Sequence, residues 1–322
     1  MNGSKIKYFN NYGSSEKDIK ESTTLLNSVK EIGYFKGENN KDIYYEKYIL
    51  PDEKGKIVIS HGFTEFLGKY EEIIYYFLKN GYSVFGLEHR GHGRSGCFGK
   101  IDKTQVTVEK FDYYIEDLKK FLDEIVKGSP ENTYLYAHSM GGAIGCIFLE
   151  RYNGYFKKAI LSTPMFKIKT GKISNKLAKL ISGTMVRVGK GEDFIFGQKC
   201  FDEKFDLESA ATSNEHRYRN YHNKLIENAE LRRGGGSFTW LSESIKATEY
   251  LIDRENISNI DVPILLFQAG RDDFVEAEGH NKFNELCKNC NLVRFDNGKH
   301  ELYLEMDEIL HEYLDIIFNF IG

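Results

Sequence analysis

The stretch Tyr134-Leu-Tyr-Ala137-His138-Ser139-Met140-Gly141-Gly142 ends an apolar run on a serine and enters a helix-forming run at once. A strand, a sharp turn and a helix in that order lift a serine hydroxyl above a sheet, where it can act as a nucleophile in acyl transfer. Backbones crowd at such a turn, so the residues two before and two after the serine must be small. Gly141 meets that demand and Ala137 exceeds it by one methyl. A serine that merely caps a helix is the alternative; what lies further along the chain favours the nucleophile. A base and a group that orients it are needed, in the order Ser, Asp, His. Gln268-Ala-Gly-Arg-Asp272-Asp273-Phe-Val lies just past a predicted strand, and Gly298-Lys-His300-Glu-Leu-Tyr follows the last one. In that arrangement His300 takes the Ser139 proton and returns it to the leaving group, while an Asp holds the imidazole tautomer. Asp272 is the expected partner because Gly-x-Asp-x-x-Val puts it first off the strand; Asp273 is the alternative. Donors for an oxyanion come from the turn His61-Gly62-Phe63-Thr64-Glu65 and from the helix start, with the Phe63 and Met140 N–H groups as the expected pair. His61, His89, His92 and His138 also fall at loop edges near this site and are read as structural.

Holding these groups takes alternating strands and helices. Buried or β-branched apolar runs predict strands over 43–50, 56–60, 82–87, 133–137, 158–162, 263–268 and 291–295. Helical spacing predicts helices over 70–79, 106–126, 140–152, 276–288 and 304–320. Repeated strand–helix–strand units imply an α/β fold, a mostly parallel sheet with helices on both faces. The rhythm breaks between Pro164 and Asp261, where the chain turns helical and polar. The expected organisation is therefore a core over 26–163 and 262–322, a helical cap over 164–261, and a polar extension or loosely docked arm over 1–25.

Composition narrows the classes. With 44 Lys+Arg against 48 Asp+Glu the net charge is −4, which argues against a nucleic-acid partner. Hydrophobic residues make up 41%, with 23 Phe and 21 Tyr, enough for a real core and against disorder. No apolar run is long enough for a membrane-spanning helix, and Met-Asn-Gly-Ser-Lys-Ile-Lys-Tyr lacks an apolar signal region, so a cytoplasmic location is expected. Five scattered cysteines suggest no disulfide framework. Cys287-Lys-Asn-Cys290 has redox or zinc spacing, but no second pair or nearby His completes it; no metal or cofactor is expected. Gly91-His-Gly-Arg-Ser-Gly96 lacks both the spacing and the lysine of a phosphate cradle and is read as a structural loop. From 165 to 191 there are seven cations, Lys167, Lys169, Lys172, Lys176, Lys179, Arg187 and Lys190, and no acid. Leu177, Leu180, Ile181, Thr184 and Val188 follow helical spacing there. The segment is either a solvated face packing on the domain below or a surface that lies on anionic lipid at the inner membrane face.

His61-Gly-Phe-Thr-Glu65-Phe-Leu-Gly-Lys-Tyr70, Glu88-His-Arg-Gly91-His92-Gly93-Arg-Ser95-Gly96 and Ala137-His-Ser-Met-Gly-Gly142 resemble the lysophospholipase and monoacylglycerol lipase family of α/β-hydrolases. The likeness runs from about Ile43 onward, cap included, and residues 213–236 with Thr239-Trp240-Leu241 are similar to the bacterial lysophospholipase branch. The resemblance implies an α/β-hydrolase fold with a cap, Ser139, Asp272 and His300 as triad, and the Phe63 and Met140 amides as oxyanion hole. It also implies a serine hydrolase of the acyl ester of a single-chain lipid, a lysophospholipid or monoacylglycerol. Departures are Ala137 at the turn, Glu88 where relatives often carry Asp, and Lys69 where they often carry Arg. A carboxylesterase, an aminopeptidase or a non-catalytic binding protein of the same fold are the other readings. An aminopeptidase would need an acidic cluster in the cap, whose first third is basic, and non-catalytic relatives typically lose a triad member. Oligomeric state is not legible.

Overall fold

The chain forms β1 (Lys30–Lys36), β2 (Asp42–Tyr48), β3 (Gly55–Ser60), β4 (Tyr82–Leu87), β5 (Thr133–His138), β6 (Lys158–Ser162), β7 (Ile264–Ala269) and β8 (Cys290–Phe295). In the computed structural model, which describes residues 7–322, these make one eight-stranded sheet in the order β1-β2-β4-β3-β5-β6-β7-β8. The first six residues of the expected N-terminal extension lie outside the described residues. β2 is antiparallel to β1 and β4; all other neighbours are parallel. β4, β5 and β7 are buried along their whole length, which is why they read as continuous apolar runs.

Successive residues of these strands feed two cores. Val58, Leu135, Leu161 and Leu266 face α3 (Asp112–Phe121), α4 (Met140–Arg151) and α9 (Ala277–Leu286). Ile57, Tyr136, Ile160 and Phe267 face α1 (Glu16–Val29), α2 (Glu71–Lys79) and α10 (Asp307–Ile321). All parallel strands therefore end on one rim, where the loops that carry side-chain chemistry gather.

Several expected boundaries move. The helix predicted over 106–126 starts only at Asp112 and ends in a wide turn over Leu122–Val126. Val106 is instead held extended: its N–H donates to Gly235 O at 3.0 Å and its carbonyl accepts from Ser237 N–H at 2.9 Å. β1 is an edge strand with most residues partly or fully exposed, so no apolar run announced it. Nor is the N-terminal arm loosely docked. Phe9 and Tyr12 are buried, Phe9 stacks on Tyr75 at 4.8 Å, and α1 runs across the expected boundary at residue 25.

Between β6 and β7 come α5 (Asn175–Arg187), α6 (Glu215–Glu227), α7 (Phe238–Leu251) and α8 (Arg254–Ile257). Trp240, Ile245 and Leu251 of α7 belong to the core beside α4, so this last part of the insertion is a layer helix of the sheet. α5 packs on α7 with Ala178 and Ser182 buried. Small residues thus face inward, and Leu177 and Leu180 of the expected apolar face point outward.

Candidate active site

β5 ends at His138 and α4 begins at Met140, so the reversal of the chain falls on Ser139, at φ 51° and ψ −118°. A positive φ in a residue with a side chain persists only where its surroundings enforce it. Here Ser139 N–H donates to Ser162 O at 3.1 Å, and Ser139 O accepts from Met165 N–H at 2.8 Å and Ala143 N–H at 3.1 Å. A Cβ on Gly141 would sit 2.1 Å from Ser60 O and 2.5 Å from His61 O, so glycine alone lets α4 approach the end of β3. The extra methyl of Ala137 faces Gly145, where a Cβ would fall 3.2 Å from it; the missing side chain on α4 makes the room.

Asp272 Oδ2 lies 2.7 Å from His300 Nδ1, and His300 Nε2 lies 2.8 Å from Ser139 Oγ. The other Asp272 oxygen accepts from the N–H groups of Phe274 at 2.8 Å and Val275 at 3.0 Å. Asp273 points away, its side chain 80% exposed and paired with Lys169 at 3.1 Å. Burial works to raise the Asp272 carboxyl, but the adjoining His300 ring and the two amides outweigh it and hold the group below the usual carboxylate range. An ionised Asp272 keeps a proton on Nδ1 and leaves Nε2 as an acceptor for the Ser139 hydroxyl. Thr163 Oγ1 fixes the histidine from behind by donating to His300 O at 2.8 Å.

Ser139 opens on a cavity of about 470 Å³ whose lining includes Phe63, Trp240, Tyr218, Tyr221, Leu225 and Phe274. Phe63 follows Gly62, whose N–H donates to Glu65 Oε2 at 2.6 Å, and its ring lies 4.2 Å from that of Trp240. Met140 begins α4, so its N–H is one of the unpaired amides of a first helical turn. His61, His89 and His92 pack together behind this turn, with ring centroids 4.6 Å apart for His61 and His89 and 5.4 Å for His61 and His92. Burial pulls His61 down to about 4 and His89 and His92 well below the ordinary imidazole range, so all three stay neutral. The carbonyls of Gly91, Gly93 and Gly96 accept from buried Arg233 at 2.7, 2.7 and 2.8 Å. That loop presents carbonyls to a cation, the opposite polarity to an amide-lined phosphate cradle. Cys287 and Cys290 are free thiols at the end of α9 and the start of β8.

Sequence reasoning passed over the polar floor of the cavity. Buried Lys69 Nζ lies 3.1 Å from Glu65 Oε1, 2.5 Å from Glu301 Oε1 and 4.2 Å from the Tyr221 ring centroid. Glu65 also accepts from the hydroxyls of Tyr70 and, at 2.8 Å, Tyr303. His138 Nε2 is 3.6 Å from Glu65, and burial pulls this imidazole down to about 3. Ligand atoms of Glu65, His138 and Glu301 lie within 4.8 Å of one another, a spacing that could gather a metal. The Lys69 ammonium already sits between the two carboxylates, so the donor set does not fit a cation site. Glu65 and Lys69 stand four apart, a pattern the sequence displays. Glu301 arrives from 232 residues further on, which no local pattern reports.

Residues 51–307 match the family described as serine aminopeptidase, S33. The chain is 26% identical over 293 residues to the probable lysophospholipase L2 of Haemophilus influenzae, covering 90% of this chain and 91% of that protein. It is 28% identical over 253 residues to lysophospholipase L2 of Escherichia coli strain K12, covering 78% and 74%. A solved monoglyceride lipase variant of Saccharomyces cerevisiae superposes with a TM-score of 0.71 at 20% identity, covering 91% of this chain and 96% of that one. The relatives thus include the lysophospholipases whose motifs this chain resembles, and the superposition establishes the fold. Matched from the turn before β3 to the first residue of α10, the chain belongs to the serine aminopeptidase S33 family of α/β-hydrolases.

Proposed function

We propose that this protein is a serine hydrolase that cleaves the acyl ester of a single-chain lipid, a lysophospholipid or monoacylglycerol, through an acyl-enzyme. Ser139 Oγ attacks the ester carbonyl as its proton passes to His300 Nε2, and the carbonyl electrons move onto oxygen, held by the Phe63 and Met140 N–H groups. Collapse expels the alcohol, which takes the proton from His300. A water deprotonated by the same nitrogen then attacks the acyl-enzyme, and collapse releases the fatty acid as Ser139 Oγ leaves and takes the proton back from His300. Asp272 balances the imidazolium formed in each half. The observation that carries this reading is the unbroken relay from Asp272 through His300 to Ser139, at 2.7 and 2.8 Å, opening on a largely apolar cavity. The names of the relatives point to the same esters. A peptidase reading has the family description in its favour and needs a carboxylate free to hold a substrate amine. Of the acids lining the cavity, Glu65 and Glu301 hold the chain's own Lys69, Asp273 pairs with Lys169, and Asp206 accepts from Ser209, which leaves Asp206 as the acid such a substrate would meet.

Such lipids come from membranes, and α5 and the segment after it offer a route. Leu180 and Val188 are each 62% exposed and Phe196 72%. Beside them Lys172, Lys176, Arg187 and Lys190 make no ion pair among the described residues, whereas Lys167, Lys169 and Lys179 are paired with acids. An apolar surface rimmed by cations attracts anionic lipid by roughly 1 kcal/mol per cation, which supports weak peripheral contact by a cytoplasmic enzyme. No helix among the described residues is long and apolar enough to cross a membrane.

Purified protein assayed against a 1-acylglycerol, lysophosphatidylcholine, p-nitrophenyl esters and an aminoacyl amide is expected to cleave the esters and spare the amide. Cleavage of the amide alone would replace this reading with the peptidase one. A fluorophosphonate should label the wild type and leave Ser139→Ala unlabelled.

A further inference from the structure

Arg217, in the first turn of α6, is buried although it lies in the insertion between β6 and β7. Its Nε and Nη2 donate to the two oxygens of Glu72 on α2 at 2.7 and 2.9 Å. Its Nη1 donates to Asp307 Oδ1 at 2.7 Å and to Glu305 O at 3.0 Å, at the start of α10. A planar guanidinium forked onto a carboxylate restrains orientation as well as distance. One side chain thus ties α6 to α2 and α10.

The N-terminal arm closes this network from outside. Asn11 N–H is shared by both oxygens of Asp307, each at 3.0 Å. Asn11 Oδ1 accepts from Asn214 Nδ2 at 3.1 Å, and Asn214 Oδ1 caps α6 by accepting from Arg217 N–H at 3.1 Å. Phe9 N–H donates to Tyr76 OH at 2.9 Å, which donates to Glu72 Oε1 at 2.8 Å. Gly13, at φ +99°, passes so near α6 that a Cβ would fall 2.8 Å from His216 O. From α6, in turn, Tyr218, Tyr221 and Leu225 line the cavity, and Tyr221 covers Lys69 at 4.2 Å.

We infer that Arg217 is a positioning residue for the substrate cavity and that residues 9–13 are its brace, together holding the α6 wall where it fits a long single-chain ester. This rests on the proposed ester hydrolysis and adds a role for residues that touch neither Ser139 nor the cavity. α5 is the contrast: it buries only small residues and presents large apolar ones to the outside, so the two helices of the insertion are held very differently.

The test compares a long-chain 1-acylglycerol with p-nitrophenyl acetate, which needs the serine but not the α6 wall. Asn11→Gly keeps the left-handed backbone of that position, φ 46°, and removes the amide. Gly13→Ala presses a methyl against α6. Arg217→Lys keeps the charge and loses the fork. KM for the long ester is expected to rise roughly three- to tenfold in Asn11→Gly and Gly13→Ala, the range of one lost hydrogen bond, and further in Arg217→Lys. In the first two, turnover of the acetate should stay within about twofold, the usual reach of a surface change. Backbone hydrogen exchange along α6 should quicken while that of α4 does not. Equal losses on both esters, or an unchanged KM with α6 exchange as in the wild type, would overturn the inference. A wild type inactive on both esters overturns the ester reading instead, and exchange along α6 then still decides whether the brace exists.

Discussion

At the scale of single residues, the site depends on a disfavoured backbone conformation at its serine. Holding Ser139 at φ 51° costs on the order of 1–3 kcal/mol, and the three backbone bonds around it together with the absence of a Cβ at Gly141 offset that cost. Gly141→Ala is therefore expected to harm the fold more than removal of the Ser139 hydroxyl does, because its methyl would meet two backbone carbonyls that cannot rotate away. Its melting temperature should fall well below that of the wild type, whereas Ser139→Ala should melt near it and lose ester turnover by on the order of 10⁴ to 10⁶. The two neighbouring acids give a second contrast. Asp272→Asn removes the charge on His300 Nδ1 and should lower kcat by roughly 10⁴, while Asp273→Asn, which loses only an exposed pair with Lys169, should leave kcat close to the wild type. The reverse ranking would move the orienting role by one residue.

At the scale of elements, α4 carries both the start of the site and a buried carboxyl at its far end. Burial pushes Glu150 up to about 9; among the described residues its side chain accepts one hydrogen bond, from the Cys146 thiol 3.7 Å from Oε1, and Oε2 has no hydrogen-bond partner. The unfolded chain ionises this group near its ordinary 4.5, so the stabilisation from its native proton is complete below that pH and is lost as pH rises towards about 9. Glu150→Gln should therefore melt above the wild type by a margin that grows from pH 5 to pH 9 and vanishes in acid. A constant margin would mean the carboxyl is not protonated in the fold. For α5 the expectation concerns lipid. Vesicles containing phosphatidylglycerol should retain the protein at low salt, and reversing the charge of Lys172, Lys176 and Arg187 should release it, with attraction screened over about 8 Å at physiological ionic strength. Equal retention on neutral vesicles would leave α5 as a solvated face.

At the scale of the whole molecule, the buried histidines set the acid limit. Burial pulls His61 and His280 down to about 4, His138 to about 3, and His89 and His92 well below the ordinary range. In the unfolded chain each titrates near 6.5, so between about 6.5 and about 4 the unfolded state binds protons that the fold refuses. Stability present above that window is lost as pH falls through it. The melting temperature should drop steeply from pH 6.5 to pH 4, with five imidazoles contributing in the same direction; a flat profile there would mean the histidine cluster is solvated. The Glu150 window, from 4.5 up to about 9, overlaps the histidine window below 6.5. There five imidazoles outweigh one carboxyl, so stability should rise to about pH 6.5 and decline above it as Glu150 acts alone.

Much of this protein is legible along the chain because its local patterns and its architecture agree. Fully buried parallel strands must be apolar throughout, so 56–60, 82–87, 133–137 and 263–268 announced themselves, and a serine between a strand and a glycine-rich helix start marked its own turn. The chain order of Ser139, Asp272 and His300 was equally visible, because each follows a strand directly. What the sequence concealed are the features whose partners are distant. β1 is exposed along most of its length, with Phe35 alone buried, and Val106 is drawn out of a helix by Gly235 and Ser237. Lys69 meets Glu301, and Arg217 meets Glu72 and Asp307, only after the sheet has closed. Hydrophobic periodicity reports how a segment packs against a surface, not which distant charge will face it, so those pairings belong to the tertiary structure alone.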